Sequence, residues 1–252
     1  MKPEAPELRV APNPKWVRGE LGGATVVDSR RSLFVWEHRY YPAWYVPVDD
    51  VAAELRPTGE SVVSQSRGTG VRFDLVAGDR TIADAAYAFP DHDVLGGLVR
   101  IEWWAMDAWF EEETEVFVHP RSPEVRIDAL PSTRHVVVKV DGVEVANSRR
   151  PTLLFETGLP TRYYLPKSDV RMDLLQPTYA ETACPYKGWA HYWNVVIDGT
   201  THDDLAWGYR TPLPESAPIA GLVCFYNEHV DIEVDGEPEG RPASPFSTDR
   251  FA

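Results

Sequence analysis

The residues best suited to chemistry lie in one run, Thr182 to Trp193, reading Thr-Ala-Cys-Pro-Tyr-Lys-Gly-Trp-Ala-His-Tyr-Trp. One of only two cysteines stands three residues before a lysine, and a glycine follows at once. A thiol becomes an effective nucleophile when a neighbouring cation stabilises its thiolate. Pro185-Tyr186 suits a turn that brings Cys184 and Lys187 to one mouth, with Gly188 letting backbone approach a ligand. His191 and His202 are the nearest bases along the chain. The catalytic candidates are therefore Cys184, Lys187 and His191. The competing account is an inert, buried cysteine beside a surface lysine, since cysteine is among the residue types most often buried.

Glu37 and Glu156 each end an apolar run, Phe34-Val35-Trp36 and Leu153-Leu154-Phe155. Held against Arg149 or Arg150, Glu156 would be an acid–base group or a ligand acceptor. The same pair could equally be an ion pair that only orders the fold. The aromatic residues Tyr163, Tyr164, Tyr186, Trp189, Tyr192, Trp193 and Trp207 suit a pocket for a flat or cationic molecule, although most such side chains pack in cores. The ligand-binding candidates are Arg149, Glu156, Tyr164, Tyr186 and Trp207. If the run after Gly188 is a strand, Trp189, His191 and Trp193 share one face, and Ala190, Tyr192 and Asn194 the other. One of these faces belongs to the core.

Composition narrows the partners. The 252 residues are 43% hydrophobic and 25% charged, which is globular and not disordered. The net charge of −14 argues against nucleic acid, because phosphate binding draws on clustered Lys and Arg. Arg30-Arg31 and Arg149-Arg150 are local exceptions, either solvated or holding one anionic group. No apolar run is long enough for a membrane span, and the first residues show no secretory signal, so a cytoplasmic protein is expected. Two cysteines without a Cys-x-x-Cys spacing exclude a four-thiolate zinc site, and no metal is expected. No cofactor can be named from these residues. The expected partner is a small molecule, with a protein partner as the alternative.

The elements that must position these residues occur twice. Asp28-Ser29-Arg30-Arg31 recurs as Asn147-Ser148-Arg149-Arg150, an offset of 119, and Trp36-Glu37 recurs as Phe155-Glu156. Trp44-Tyr45-Val46-Pro47 returns as Tyr163-Tyr164-Leu165-Pro166, and Asp50-Val51 as Asp169-Val170. After a one-residue slip, Arg67-Gly68 matches Lys187-Gly188, and the Asp84 to Tyr87 segment matches Asp204 to Trp207. A tandem duplication with so long a period predicts two domains, not a solenoid. The expected boundaries are a loose leader over 1–16, a first repeat over 17–118, a Pro-rich linker over 119–123, a second repeat over 124–236 and a loose tail over 237–252.

Within a copy, strands dominate. Val136 to Val140 and Val143 to Ala146 flank Asp141-Gly142, a hairpin signal. Leu153 to Glu156, Ala190 to Ile197, Leu205 to Tyr209, Gly221 to Tyr226 and Val230 to Val234 read as further strands. Ser168 to Leu175 is the one helical hint, with Ser168 as cap and Val170 and Leu174 on one face. The class is all-β.

The second copy resembles the bacterial family known as domain of unknown function 427. The similarity runs through Ala146-Asn147-Ser148-Arg149, Glu156, Tyr163 to Pro166, Asp169-Val170, Thr182 to Gly188, Ala206-Trp207 and Val223 to Tyr226. The first copy resembles it more weakly and departs at Ser64 and Arg67, where the second has Cys184 and Lys187. The resemblance implies a compact β-complex per domain, similar to the β-tent fold of methionine sulfoxide reductase B. It implies no activity. A nucleotidyltransferase label is sometimes attached to the family, but the sequence shows no phosphate-cradling loop to support it.

The two copies also compare with each other. Thr182, Cys184, Tyr186 and Lys187 face Val62, Ser64, Ser66 and Arg67, while His191 faces Val71 and Trp207 faces Tyr87. Landmarks kept by both are expected to serve folding; those special to the second copy are the candidates for chemistry. The resulting expectation is a pair of similar β domains with a small-molecule site in the second and cysteine-assisted chemistry there. The alternatives are a non-catalytic interaction module and a nucleotidyltransferase-like activity.

Overall fold

The computed structural model describes residues 8–247. The chain divides into two compact units, residues 1–122 and 123–252. All sheets are antiparallel, and among the described residues the only helical turns are short 3-10 turns. The all-β expectation holds.

In the first unit a seven-stranded sheet runs in the order Val10–Pro12, Leu33–Val35, Ala43–Pro47, Leu98–Ile101, Arg80–Ala88, Gly68–Ala77, Glu54–Ser64. A second sheet orders Thr114–Val116, Ala108–Glu111, Val17–Leu21 and Ala24–Ser29. The second unit repeats this plan. Ile127–Pro131, Thr152–Glu156 and Arg162–Tyr164 form one sheet; Cys224–Phe225, Thr200–Tyr209, Gly188–Ile197 and Leu175–Cys184 form another. Paired backbone bonds between Leu165 and Val223, 2.7 and 2.9 Å, join them where the first unit has one continuous sheet. A third sheet orders Val143–Ser148, Val136–Val140, Asp231–Val234 and Glu237–Glu239.

Local sequence explains the turns. Asp141-Gly142, Asp198-Gly199 and Asp235-Gly236 all adopt positive φ at both positions, as a tight right-twisted hairpin requires. The helical hint resolves into two 3-10 turns, Lys167–Asp169 and Met172–Leu174. Ser168 does not cap them: its hydroxyl donates to Asp169 and accepts from Arg150.

Two expectations are corrected, the loose leader and the loose tail. Residues 8–16 are not a loose leader, because Val10–Pro12 pairs with Leu33–Val35 at the sheet edge. The expected linker over 119–123 holds the division between the two units, Ser122 to Pro123, and carries no strand or helix; within it His119 stacks on Tyr41 at 4.0 Å and Pro120 is buried. After Gly236 the chain folds back as Glu237–Glu239 on Asp231–Val234, and Phe246 packs on the core of the second unit. The hairpin signal of Asp235-Gly236 announces that return strand. The remainder of the expected leader and tail, residues 1–7 and 248–252, lies outside the described residues.

The strand Leu175–Cys184 is not evident from the sequence pattern. Pro177 and the lack of alternation conceal it. It occupies a sheet edge and carries a bulge between Pro177 and Glu181, two settings that tolerate proline.

Candidate functional site

Glu156 closes the strand Thr152–Glu156, and Lys187 sits in the turn between Leu175–Cys184 and Gly188–Ile197. The Lys187 ammonium donates to Glu156 Oε2 at 2.5 Å, and both side chains are about nine-tenths buried. Burial works to lower the Lys187 pKa, but the Cys184 sulfur and the Glu156 carboxylate outweigh it and raise the value. Lys187 is therefore a fixed cation. Cys184 is half-buried, whereas Cys224 is buried.

Strand alternation decides what else belongs here. Thr182 pairs with Ala190, and Cys184 with Gly188, whereas Glu181 pairs with His191. Thr182 and Cys184 therefore share a face with Ala190 and Tyr192, and the Thr182 hydroxyl meets the Tyr192 hydroxyl at 2.7 Å. On the neighbouring strand Tyr192 pairs with Trp207 and Ala190 with Tyr209, which puts both rings on that face. Trp207 Nε1 donates to the Tyr164 hydroxyl at 3.2 Å. Burial holds the Tyr164 and Tyr209 phenols neutral, well above their ordinary pKa.

Five of the expected site residues thus converge: Cys184, Lys187, Glu156, Tyr164 and Trp207. Two do not. His191 lies on the opposite face of its strand and pairs with Glu181 at 2.9 Å, so it cannot serve Cys184. Arg149 points its guanidinium at the His135 ring, 3.4 Å away, and Glu156 takes Lys187 as its cation instead. Arg150 is engaged with Asp169 and Ser168. Tyr186 is half-buried in the turn, where its carbonyl accepts from Ser216 at 3.4 Å. Gly188 answers a backbone demand, a φ of +91°, at the end of the turn.

Behind this group lies an ion pair that sequence spacing does not reveal. Arg162 donates to both Glu228 oxygens at 2.7 Å and to Asn227 at 3.2 Å, with the Glu228 side chain fully buried. The guanidinium also lies 5.5 Å from the Trp207 ring centre. Cys224 is fully buried beside it, and burial pushes its thiol up to about 12. A depression of 310 Å³ opens beside Glu156, walled by Arg126, Asp128, Phe155, Thr157, Leu159 and Thr161.

The first unit builds the same place with other side chains. Glu37 is ion-paired with Arg67 and, at 3.1 Å, with Arg100; it also accepts from the Tyr45 and Tyr87 hydroxyls. Arg67 Nε donates to Ser64 Oγ at 3.0 Å. Arg100 pairs across from Tyr87 as Cys224 pairs across from Trp207, so an arginine fills the place of the buried thiol. The first copy is not chemically depleted, contrary to its thinner list of reactive types.

Among the described residues, no group of three or more His, Cys, Asp or Glu is arranged to hold a metal, and no helix is long and apolar enough to cross a membrane. A family model described as "Domain of unknown function (DUF427)" matches the chain twice, over residues 9–112 and 128–236. No curated protein matches.

Proposed function

Since this chain belongs to the DUF427 family and carries two copies of it, we propose that the second copy is a small-molecule site with Cys184 as its reacting group. The observation that carries this reading is a half-buried thiol three residues from a buried ammonium, whose charge the sulfur supports and which a buried carboxylate holds in place. Such a cation is positioned before a ligand arrives, so stabilising charge on the sulfur costs little reorganisation. The depression beside Glu156, with the half-exposed Phe155 in its wall, offers room for the body of a ligand next to the carboxylate that holds Lys187. The sulfur would add to a polarised double bond of the ligand: the S–C bond forms as the π pair moves to the far atom, which takes up the thiol proton by way of solvent. Both cysteines are free, which suits a reducing, cytoplasmic setting.

Comparing the alkylation of Cys184 with that of Cys224 does not test this, because burial alone makes Cys224 slow. The test is Lys187→Gln. Iodoacetamide should modify Cys184 about tenfold more slowly than in wild type. Lys187→Arg, the residue type the first copy uses here, should keep both fold and reactivity. Wild-type rates in a folded Lys187→Gln protein would refute the activated thiol. A thermal-shift screen of metabolites against wild type and Cys184→Ser would then name the ligand.

A second reading, a protein-binding face, draws on Tyr179, which is fully exposed, and Trp189, which is 47% exposed. The nucleotidyl-transfer reading finds its carboxylates engaged: Glu37, Glu156 and Glu228 each with an arginine or lysine, and Asp128 with Arg126.

A further inference from the structure

The first unit carries a depression of 460 Å³, against 310 Å³ for the one beside Glu156. Its wall includes Arg9, Arg39 and Arg67, the hydroxyls of Ser64 and Ser66, and a single carboxylate, Glu37. That carboxylate is turned inward. It is held by Arg67, Arg100 and two tyrosine hydroxyls, which leaves it little capacity for a cation arriving from solution. The opening is therefore lined mainly by donors.

Three arginines around one depression stand out in a chain of net charge −14. Arg9 lies 4.0 Å from the Trp36 ring centre, and Arg39 lies 5.7 Å from that of Tyr40. The ring contact orients the Arg39 guanidinium plane without consuming its N–H donors. We propose that this depression binds a small phosphorylated molecule, with its phosphate among Arg39, Arg67, Ser64 and Ser66 and its body against Trp36. Arginine meets phosphate through paired, charge-assisted bonds. The Arg39 guanidinium, the edge of Arg67 not spent on Glu37, Tyr45 and Ser64, and the hydroxyl hydrogen left over from the Ser64–Ser66 bond suit the three terminal oxygens of a phosphate monoester better than the two of a carboxylate. The volume lies within the range of small-molecule sites, roughly 300–1,000 Å³. The copies would then have different roles, because Ser64 and Arg67 offer binding groups where Cys184 and Lys187 offer a nucleophile and its cation.

Phenyl phosphate titrated into the full chain at constant ionic strength, followed by calorimetry, tests the proposal. Saturable binding is expected. Arg39→Ala and Ser66→Ala, both at positions outside the core, should each weaken it about tenfold, as expected for loss of a hydrogen bond to a charged group. Arg149→Ala, an exposed arginine of the second unit, should leave it unchanged. Absence of saturable binding would overturn the proposal. So would an equal loss in Arg149→Ala, or benzoate binding as tightly as phenyl phosphate.

Discussion

A lysine whose side chain is only 10% exposed would tend to shed its proton in an apolar setting; Lys187 keeps it because Glu156 and Cys184 crowd its ammonium. Arg162 obeys the same rule more strictly. Burial works against its charge, the Glu228 carboxylate overcomes it, and Glu228 is in turn held below the usual carboxylate range despite its own burial. Removing one member of such a pair strands the other. Arg162→Met should therefore cost roughly 3–5 kcal/mol, read as a lower urea midpoint, while the double variant Arg162→Met/Glu228→Leu should recover much of it. A single variant as stable as wild type would show that the pair is not fully buried. At this scale the sequence is partly legible: Cys184, Lys187 and Glu156 stand out by type and position. Arg162 and Glu228 do not, because 66 residues separate them and no local pattern links them.

One hairpin sets the site's geometry. Strands Leu175–Cys184 and Gly188–Ile197 place Cys184 at the last paired position and Lys187 in the turn, so both side chains emerge together. Gly188 permits this by adopting a φ of +91°, and Gly68 does the same in the first copy with +81°. A Cβ at Gly188 would meet only ordinary contacts, the nearest at 3.5 Å, so the cost of Gly188→Ala is one of backbone conformation. It should destabilise by roughly 1–2 kcal/mol and slow Cys184 alkylation, because the turn must shift to relieve the strain. Unchanged stability and alkylation would mean that the turn is adaptable. The sequence points to the turn and to the glycine, but nearness along the chain misplaces His191. Faces of a strand alternate, and pairing with Glu181 puts His191 on the wrong side of the sheet for Cys184.

Across the whole molecule the duplication appears as one clasp used twice. Ser29 donates to Asp50 and Arg31 pairs with it; Ser148 and Arg150 do the same with Asp169. Hydrogen bonds from Arg150 above all hold the Asp169 carboxyl well below its usual range. For Asp50, burial pushes upward, and the bonds from Arg31 and Ser29 prevail to lower it. A depressed carboxyl adds stability that is fully present above its unfolded pKa of about 3.9 and is lost as pH falls through the folded value. Acidification below about pH 4 should therefore weaken both units, and Asp169→Asn should lower stability near pH 6 while flattening the acid limb for the second. Urea midpoints at several pH values decide this; identical pH slopes in variant and wild type would contradict it. The repeated Asp84 and Asp204 are likewise structural, both at positive φ, with their backbone N–H groups bonded to Asp74 and Asn194.

By itself the sequence determined the all-β class, the duplication, the Asp-Gly hairpins and the nearness of Cys184 to Lys187 across one turn. Each is written in a short window or in a constant offset, and local conformational preference is enough to decide it. The tertiary structure alone decided which carboxylate meets Lys187, that Arg162 and Glu228 are buried together, and that Arg67 and Arg100 share Glu37. Those pairings join strands far apart in the chain. They follow from sheet order and from the demand that every buried charge find a partner, which no single stretch of sequence expresses.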